Sequence, residues 1–234
     1  MSHQEQTKFI IECLSFIKKE FKKPNVLEVG SYNVNSIVNY KEFIGDCNYL
    51  GIDLIKGPGV DLVMDGENIG KLNNKFDIII SAECFEHAEN WKIIFQEMIK
   101  NINEYGYIIL TIASKGRLEH GTQRTISSHS PGTGNYYLNL EEKDFYNNFD
   151  IDNIFEEKIF FYNIHSYDLY VIFQKENKSI NIINQIKKLY LRKPHKTPKF
   201  QNVKRFIICS IIGDRNFQNL RYFFRKLRLK IFKK

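Results

Sequence analysis

The sequence predicts an α/β fold: a doubly wound, seven-stranded, mostly parallel sheet with a basic, helical C-terminal extension. Short apolar runs recur along the first three quarters of the chain, and segments of helical length separate them. These runs lack strict alternation of apolar and polar residues, which is typical of strands covered on both faces. The runs are NVLEVG, NYLGIDL, DLVMD, FDIIISA and GYIILTIA.

The segments between the runs carry helical patterns. Residues 5–22 space their apolar side chains as one face of a helix, which Pro24 ends. Residues 86–103 predict a second amphipathic helix, beginning at Glu86 and His87 and followed by a tight turn in EYGY. Later, FEEKIFFYN and SYDLYVIFQK predict two adjoining strands, which bring the number of strands to seven.

Charge divides the chain into two parts. Residues 1–176 contain 17 Lys and Arg residues and 26 Asp and Glu residues, whereas residues 177–234 contain 17 Lys and Arg residues and 1 acidic residue. The net charge of the whole chain is +7. We therefore predict a domain at 1–176 and a basic, mainly helical extension at 177–234, and the two face different electrostatic partners.

Cysteine spacing and hydropathy exclude several classes of protein. The four cysteines are scattered, with no C-x-x-C pair and no histidine at zinc-ligand spacing, so we predict neither a disulfide framework nor a structural zinc site and assign no metal-binding residue. The N-terminal segment does not resemble a signal peptide, and no run of 18 uncharged apolar residues occurs. We expect a cytoplasmic protein, with peripheral attachment to the inner face of the membrane as an option.

Candidate ligand-binding residues follow successive strands, because open α/β sheets bind ligands beyond the carboxyl ends of their strands. The first strand ends at Gly30, and the second ends at Asp53. The separation between these two residues along the chain suits a carboxylate that accepts hydrogen bonds from the hydroxyls of a ribose. The third is followed by Asp65, which could accept from an exocyclic amine. The alternative is that Asp53 caps a helix and Asp65 belongs to a turn.

This ordered set resembles the class I S-adenosylmethionine-dependent methyltransferases over residues 22–175. The blocks VLEVGSYNVNS, YLGIDLIKGPGVDLVMDG, FDIIISAECFEHAENW and GYIILTI are similar to those of bacterial small-molecule and glycan methyltransferases. The resemblance implies S-adenosylmethionine as cofactor and S-adenosylhomocysteine as product. The cofactor-binding residues that it implies are Glu28, Gly30, Ser31, Asp53, Leu54, Asp65, Gly66, Ser81, Ala82 and Glu83.

The loop after Gly30 lacks the further glycines of a dinucleotide site. A pyrophosphate needs several close backbone N–H groups, whereas S-adenosylmethionine has no phosphate and carries a sulfonium and an amino-acid end. Carboxylates such as Glu28 and Glu83 also suit a cationic ligand. The loop therefore favours a methyltransferase over a dehydrogenase.

Residues 114–140, here called the insertion, are irregular and contain no apolar periodicity. Segments of this kind are usually functional. We predict that His120 or His129 is the general base, and the resemblance implies that His120, Gly121 and Tyr136 lie in the acceptor pocket. The alternative is that the histidines are merely solvated.

The C-terminal extension predicts a helix in KSINIINQIKKLYLRK, a linker at PHKTPK and a basic amphipathic helix in residues 215–234. Its apolar positions, with Arg and Lys between them, are Phe217, Leu220, Phe224, Leu227 and Ile231. Residues 213–234 could bind an anionic membrane surface, pack on the acidic domain, form a homodimer contact or hold RNA. We favour surface attachment or packing over nucleic acid because no RNA-binding module accompanies the helix.

The sequence thus predicts methyl transfer to a hydroxyl or amino group of a sugar, nucleotide-linked sugar or other cell-surface glycan precursor. The glycan acceptor rests on the resemblance alone. The alternatives are an RNA methyltransferase that uses the basic tail, and a non-catalytic, cofactor-binding partner subunit.

Overall fold

The computed structural model describes residues 4–34, 40–176, 182–192 and 198–231. Four parts of the sequence predictions lie outside these ranges: the domain boundary at 177, most of the linker at 194–199, Asn35, and the last three residues of the basic helix.

The sheet has seven strands in the order β3-β2-β1-β4-β5-β7-β6. Strands β1 to β5 run parallel, and β7 pairs antiparallel with both β5 and β6. The predicted doubly wound, mostly parallel sheet is confirmed. The strands are β1 (Asn25–Val29), β2 (Asn48–Asp53), β3 (Leu62–Val63), β4 (Phe76–Ala82), β5 (Ile102–Ala113), β6 (Glu157–Asn163) and β7 (Asp168–Gln174).

Helices cover both faces of the sheet, which is why its central strands are apolar on both sides. Those of the domain are α1 (Gln4–Ile17), α2 (Tyr40–Ile44), α3 (Trp91–Asn101), α4 (Glu142–Tyr146) and α5 (Ile151–Ile154). Those of the extension are α6 (Ile182–Arg192), α7 (Phe200–Ile212) and α8 (Asp214–Ile231). The sequence analysis did not predict α7.

Two apolar clusters hold the layers together. One joins α3, α4 and α5 to the sheet and is rich in aromatic rings, with Phe95 at its centre. The other joins α1, α2 and α6 to the opposite face. Within it, Ile183 and Ile186 of α6 are buried, and the Tyr190 hydroxyl donates to Glu12 of α1 at 2.6 Å. The first helix of the extension is therefore part of the core.

The predicted helix at 86–103 is wrong at both ends. Glu86 and His87 form a separate 3₁₀ turn (Phe85–His87), and α3 begins at Trp91. The helix ends at Asn101 because β5 begins directly after it. The EYGY turn lies inside β5, where the pairing with β4 jumps from Ile102 to Tyr107 and the intervening residues form an irregularity.

Candidate active site

The carboxyl ends of β1, β2 and β4 meet at one edge of the sheet, and backbone hydrogen bonds lock them together. Gly30 and Ser31 donate to the carbonyl of Ile52 at 2.9 and 3.0 Å. The Ser81 hydroxyl donates to the carbonyl of Val29 at 2.9 Å, which ties β4 to β1. This edge carries two adjoining cavities, of about 470 and 210 Å³, and the larger one is of ordinary ligand-site size.

The structure brings most of the predicted site residues to these cavities. The larger cavity is lined by Glu28, Gly30, Ser31, Asp53, Ala82, Glu83 and His129, among others. The smaller cavity shares Gly30 and Asp53 and adds Leu54, Asp65, Gly66 and Tyr136. Ser81 and His120 line neither cavity among the described residues. Ser81 holds the strands together, and His120 lies behind His87.

Asp53 and Asp65 each accept local backbone hydrogen bonds and also line the cavities. Asp53 accepts from the backbone N–H of Tyr32 at 3.0 Å and of Ile55 at 3.3 Å, while it also lines both cavities. Asp65 accepts from the N–H of Glu67 at 3.0 Å and caps a 3₁₀ helix at the wall of the smaller cavity. Turn-forming carboxylates at strand ends are thus held rigidly beside the cavities.

Gly30 has a φ of +78°, in the left-handed region that favours glycine. A Cβ built there would stand 2.7 Å from both Cβ and Sγ of Cys84. Glu83 has a φ of +53° without being glycine, which is uncommon and marks a strained position at the end of β4. The strand ends therefore adopt a shape that the sequence alone does not reveal.

The larger cavity is acidic. Glu28, Asp53, Asp61 and Glu83 line it, whereas Lys41 brings a cation. Burial raises the pKa of Glu28 to about 7, against the lowering effect of a 2.5 Å hydrogen bond that the Tyr49 hydroxyl donates to it. Burial also raises the pKa of Asp53. A cationic ligand would reduce the electrostatic repulsion among these carboxylates, whereas a pyrophosphate would increase it.

The thiol of Cys84, which lies beside Gly30, is not a nucleophile at neutral pH. Burial raises the pKa of Cys84 to about 12, so its sulfur remains protonated where it lines both cavities. It shapes the pocket against Gly30.

A buried ionic network fixes the start of the insertion against the sheet. The Arg117 guanidinium donates to the carbonyl of Ser166 at 2.9 Å and lies 3.4 Å from a Glu83 oxygen. It also lies 3.6 Å from the carboxylate of Asp168, whose side chain is fully buried. Arg117 therefore connects the ends of β4 and β7 to the insertion.

Sequence reasoning missed several of these residues. Arg117 stands among other polar residues of the insertion, and Tyr49 lies near the start of β2, at the opposite end of that strand from Asp53. The helical pattern of the sequence places His87 at a helix start, whereas in the structure it is buried and lines both cavities. The residues that the sequence did indicate lie at or near strand ends, such as Asp53, or in the irregular insertion, such as His129.

The predicted acceptor residues separate in space. His129 lines the larger cavity and Tyr136 the smaller one, beside Leu54 and Asp65. Gly121 packs close to His87, since a Cβ built there would lie 2.8 Å from Cε1 of the imidazole. The insertion thus covers both cavities instead of forming one acceptor wall.

The chemistry of the lining fits S-adenosylmethionine. Carboxylates face a cavity of suitable size, Asp53 stands where the two cavities join, and the buried Ser31 hydroxyl has no hydrogen-bond partner among the described residues. The strand order, the strand-end acids and the single-glycine loop together define a class I S-adenosylmethionine-dependent methyltransferase.

Comparison with known proteins agrees. Residues 1–177 match the family model described as a methyltransferase domain, and the chain belongs to this family. No curated protein sequence matches the chain.

Solved structures share the fold at low sequence identity. The N-methyltransferase NodS from Bradyrhizobium japonicum WM9, in complex with S-adenosyl-L-homocysteine, is 13% identical with a TM-score of 0.50, over 74% of this chain and 88% of that chain. The plantazolicin methyltransferase BpumL, also in complex with S-adenosylhomocysteine, is 14% identical with a TM-score of 0.50, over 74% and 86%. These structures support the fold and do not identify the acceptor.

Proposed function

We propose that this methyltransferase acts on a hydroxyl or amino group of a sugar, nucleotide-linked sugar or other glycan precursor. The observation that carries the proposal is the polar wall of the larger cavity. Hydroxyl and amide groups from the loop after β1 and from the insertion line this cavity. Such groups can both donate hydrogen bonds to sugar hydroxyls and accept hydrogen bonds from them. They belong to Tyr32, Asn33, Ser130 and Thr133.

The cofactor is assigned across both cavities. Asp53 at their junction would accept from the ribose hydroxyls, and the smaller cavity would take adenine between Leu54 and the polar edge of Asp65. Tyr136 lines the smaller cavity, so we assign it to contact with the adenine ring of the cofactor and not to the acceptor pocket. Glu28 would face the ammonium group, and above a pH of about 7 it does so as a carboxylate.

When bound, S-adenosylmethionine supplies an electrophilic methyl group on a positively charged sulfur. The protein then has to align the acceptor and, for a hydroxyl, to remove its proton. His129 is assigned as the general base because it lines the larger cavity. Burial lowers the pKa of His87 to about 4 and that of His120 to about 2, so both imidazoles are neutral at pH 7.

A pooled screen of sugars, nucleotide-linked sugars and lipid-linked sugars tests the acceptor by release of S-adenosylhomocysteine. With the best hydroxyl acceptor, His129→Ala is expected to lower kcat by about 10²- to 10⁴-fold because general-base assistance is lost. Affinity for S-adenosylhomocysteine, measured by calorimetry, should stay unchanged.

The matched control is His165→Ala, because His165 lies outside both cavities among the described residues. Its turnover should equal that of the wild type. Turnover with short RNA but with none of the sugars would overturn the acceptor proposal. Equal turnover of His129→Ala and the wild type would remove His129 as the base.

We further propose that α8 attaches the enzyme to an anionic lipid surface. Its first turns face the insertion: Asp214 accepts from the N–H of Gly116 at 2.7 Å, and Gln218 donates to the carbonyl of Arg117 at 2.7 Å. The apolar stripe predicted from sequence is largely exposed instead of buried on the domain, with Leu220, Phe224 and Leu227 all open to solvent. The side chain of Ile231 lies outside the described residues.

The basic surface consists of Arg221, Phe223, Phe224, Arg225 and Lys226. All five side chains are exposed, and the two rings lie 5.7 Å apart. Partial desolvation and repulsion from Arg205 and Arg225 lower the pKa of Arg221, which shows that the cations of this surface lie close to one another. Aromatic rings beside clustered cations suit an anionic bilayer interface. No helix in the described part of the chain has the length and hydropathy to cross a bilayer.

Sedimentation with vesicles of anionic phospholipid tests this attachment. Replacing Arg221, Arg225 and Lys226 by Glu is expected to lower vesicle binding by at least about a hundredfold, because each cation near an anionic membrane contributes about 1 kcal/mol. Replacing Phe223 and Phe224 by Ser should weaken it further.

The control changes Lys22, Lys23 and Lys71 to Glu, which alters net charge equally at exposed positions of the domain. It should bind vesicles almost as the wild type does. Equal pelleting of the two triple variants would refute the assignment of α8. Binding of single-stranded RNA without any binding to vesicles would assign the surface to nucleic acid instead, and concentration-dependent dimerisation through α8 would assign it to self-association.

A further inference from the structure

Three side chains at the end of β4 and in the insertion form a cluster that the proposed mechanism does not use. Glu86 and His87 come from the 3₁₀ turn after β4, and His120 comes from the insertion. One carboxylate oxygen and one nitrogen of each imidazole all lie within 4.8 Å of one another. We call these residues the Glu-His-His cluster.

The two imidazoles face each other through their Nε2 atoms, which are 3.3 Å apart. A tetrahedral ion with bonds of about 2.0–2.1 Å to two nitrogens holds those nitrogens about 3.3–3.4 Å apart. The rings are nearly perpendicular, at 86°. The two nitrogens therefore already have the spacing of ligands to one ion.

The tautomer of His120 points to the same conclusion. Its Nδ1 lies 3.1 Å from the carbonyl oxygen of Leu118, which cannot donate, so Nδ1 carries the proton and donates to that oxygen. In a neutral imidazole this leaves the lone pair on Nε2, directed at His87. A backbone carbonyl that fixes the outer nitrogen is the usual support of a metal-binding histidine.

Glu86 supplies the independent observation. Its side chain is fully buried, and neither carboxylate oxygen has a hydrogen-bond partner among the described residues. A buried carboxyl group without a partner is costly, and a divalent cation would satisfy it. One of its oxygens lies within 4.8 Å of the nitrogens that would hold the ion, so the carboxylate is placed to complete the donor set.

We propose that the Glu-His-His cluster binds a divalent first-row transition-metal ion, with Zn²⁺, Co²⁺ and Mn²⁺ as the leading choices. Two imidazoles and one carboxylate form a mixed nitrogen and oxygen donor set that suits these ions. The sequence analysis predicted no metal site because His87 and His120 are 33 residues apart, and only the packing of the insertion on the turn after β4 brings them together.

The place of the cluster suggests what the ion would do. His87 lines both cavities, so the Glu-His-His cluster adjoins the cofactor region through this ring. Resting on the proposed function, we assign an acceptor oxygen to a coordination position beyond the three protein ligands, where a bound cation would acidify its proton.

Metal binding can be measured without any acceptor or turnover. The full chain is stripped with a chelator, dialysed and titrated with Co²⁺ while the visible absorption of the ion is recorded. One Co²⁺ per chain is expected, with the bands of nitrogen and oxygen coordination and without the near-ultraviolet band of a cobalt thiolate. His120→Ala and Glu86→Gln should each lower the affinity by more than about 100-fold.

The matched control is His165→Ala, which removes an imidazole outside the cluster and should bind Co²⁺ as the wild type does. Thermal unfolding guards against misfolded variants, because Co²⁺ should raise the Tm of the wild type and of His165→Ala but not that of His120→Ala. Absence of Co²⁺ and Zn²⁺ binding to the wild type, or binding unchanged in both cluster variants, would overturn the proposal. The spacing of 3.3 Å would then be a direct hydrogen bond between the imidazoles beside a protonated Glu86.

Discussion

Replacing Arg117 by Ala is expected to lower the free energy of unfolding by about 3–5 kcal/mol, which is the usual cost of removing one partner from a buried ionic network. The guanidinium lies within 3.6 Å of carboxylate oxygens of both Glu83 and Asp168, whose side chains are almost fully buried. The change leaves both acids without this cation in a region of low dielectric. Urea unfolding at neutral pH measures the effect.

Arg124→Ala is the control, because Arg124 belongs to the same insertion but pairs at 3.6 Å with Glu119 in a position more exposed than that of the Arg117 network. Its loss should cost less than about 1 kcal/mol. Arg117→Lys keeps the charge but loses the forked geometry, and an intermediate value is expected. A stability of Arg117→Ala within 1 kcal/mol of the wild type would contradict the importance of this network.

Replacing Gly30 by Ala is expected to weaken binding of S-adenosylhomocysteine by roughly a hundredfold or more, because strain and overpacking each cost about 1–3 kcal/mol. The backbone is left-handed there, and the new Cβ would overlap the side chain of Cys84. The loop must therefore shift away from the junction of the two cavities. Calorimetry of the variant measures the loss.

Gly45→Ala separates strain from overlap. Gly45 has a similar φ of +87°, but no atom lies within 4 Å of a Cβ built there, and it does not line the cavities. This control should lose a little stability and keep its affinity. Adding Cys84→Gly to Gly30→Ala should restore part of the affinity. Unchanged binding by Gly30→Ala alone would show that Gly30 is not a point of close approach.

The presence and type of the central strands were predictable because each is a local apolar run, and burial on both faces leaves a direct trace in composition. The strand ends were predictable for the same reason. Asp53 and Asp65 each follow such a run, so their meeting at one edge follows from parallel topology. The order of the strands in the sheet was not predicted, because it depends on contacts between runs that are distant in the chain. The helix boundaries near Glu86 and Asn101 were not predictable, because tertiary packing and the start of β5 override the helical periodicity there.

The sequence by itself determined the sheet, the acids at its carboxyl edge and the division of charge between domain and extension. The tertiary structure decided which side chains meet across the insertion: Arg117 with Glu83 and Asp168, and His87 with His120. The physical reason is the distance along the chain between the residues that interact. Strand patterns and strand-end residues are set by neighbours in the chain, whereas the insertion has no periodicity. Its contacts are fixed only when a folded sheet offers buried charges and polar groups that need partners.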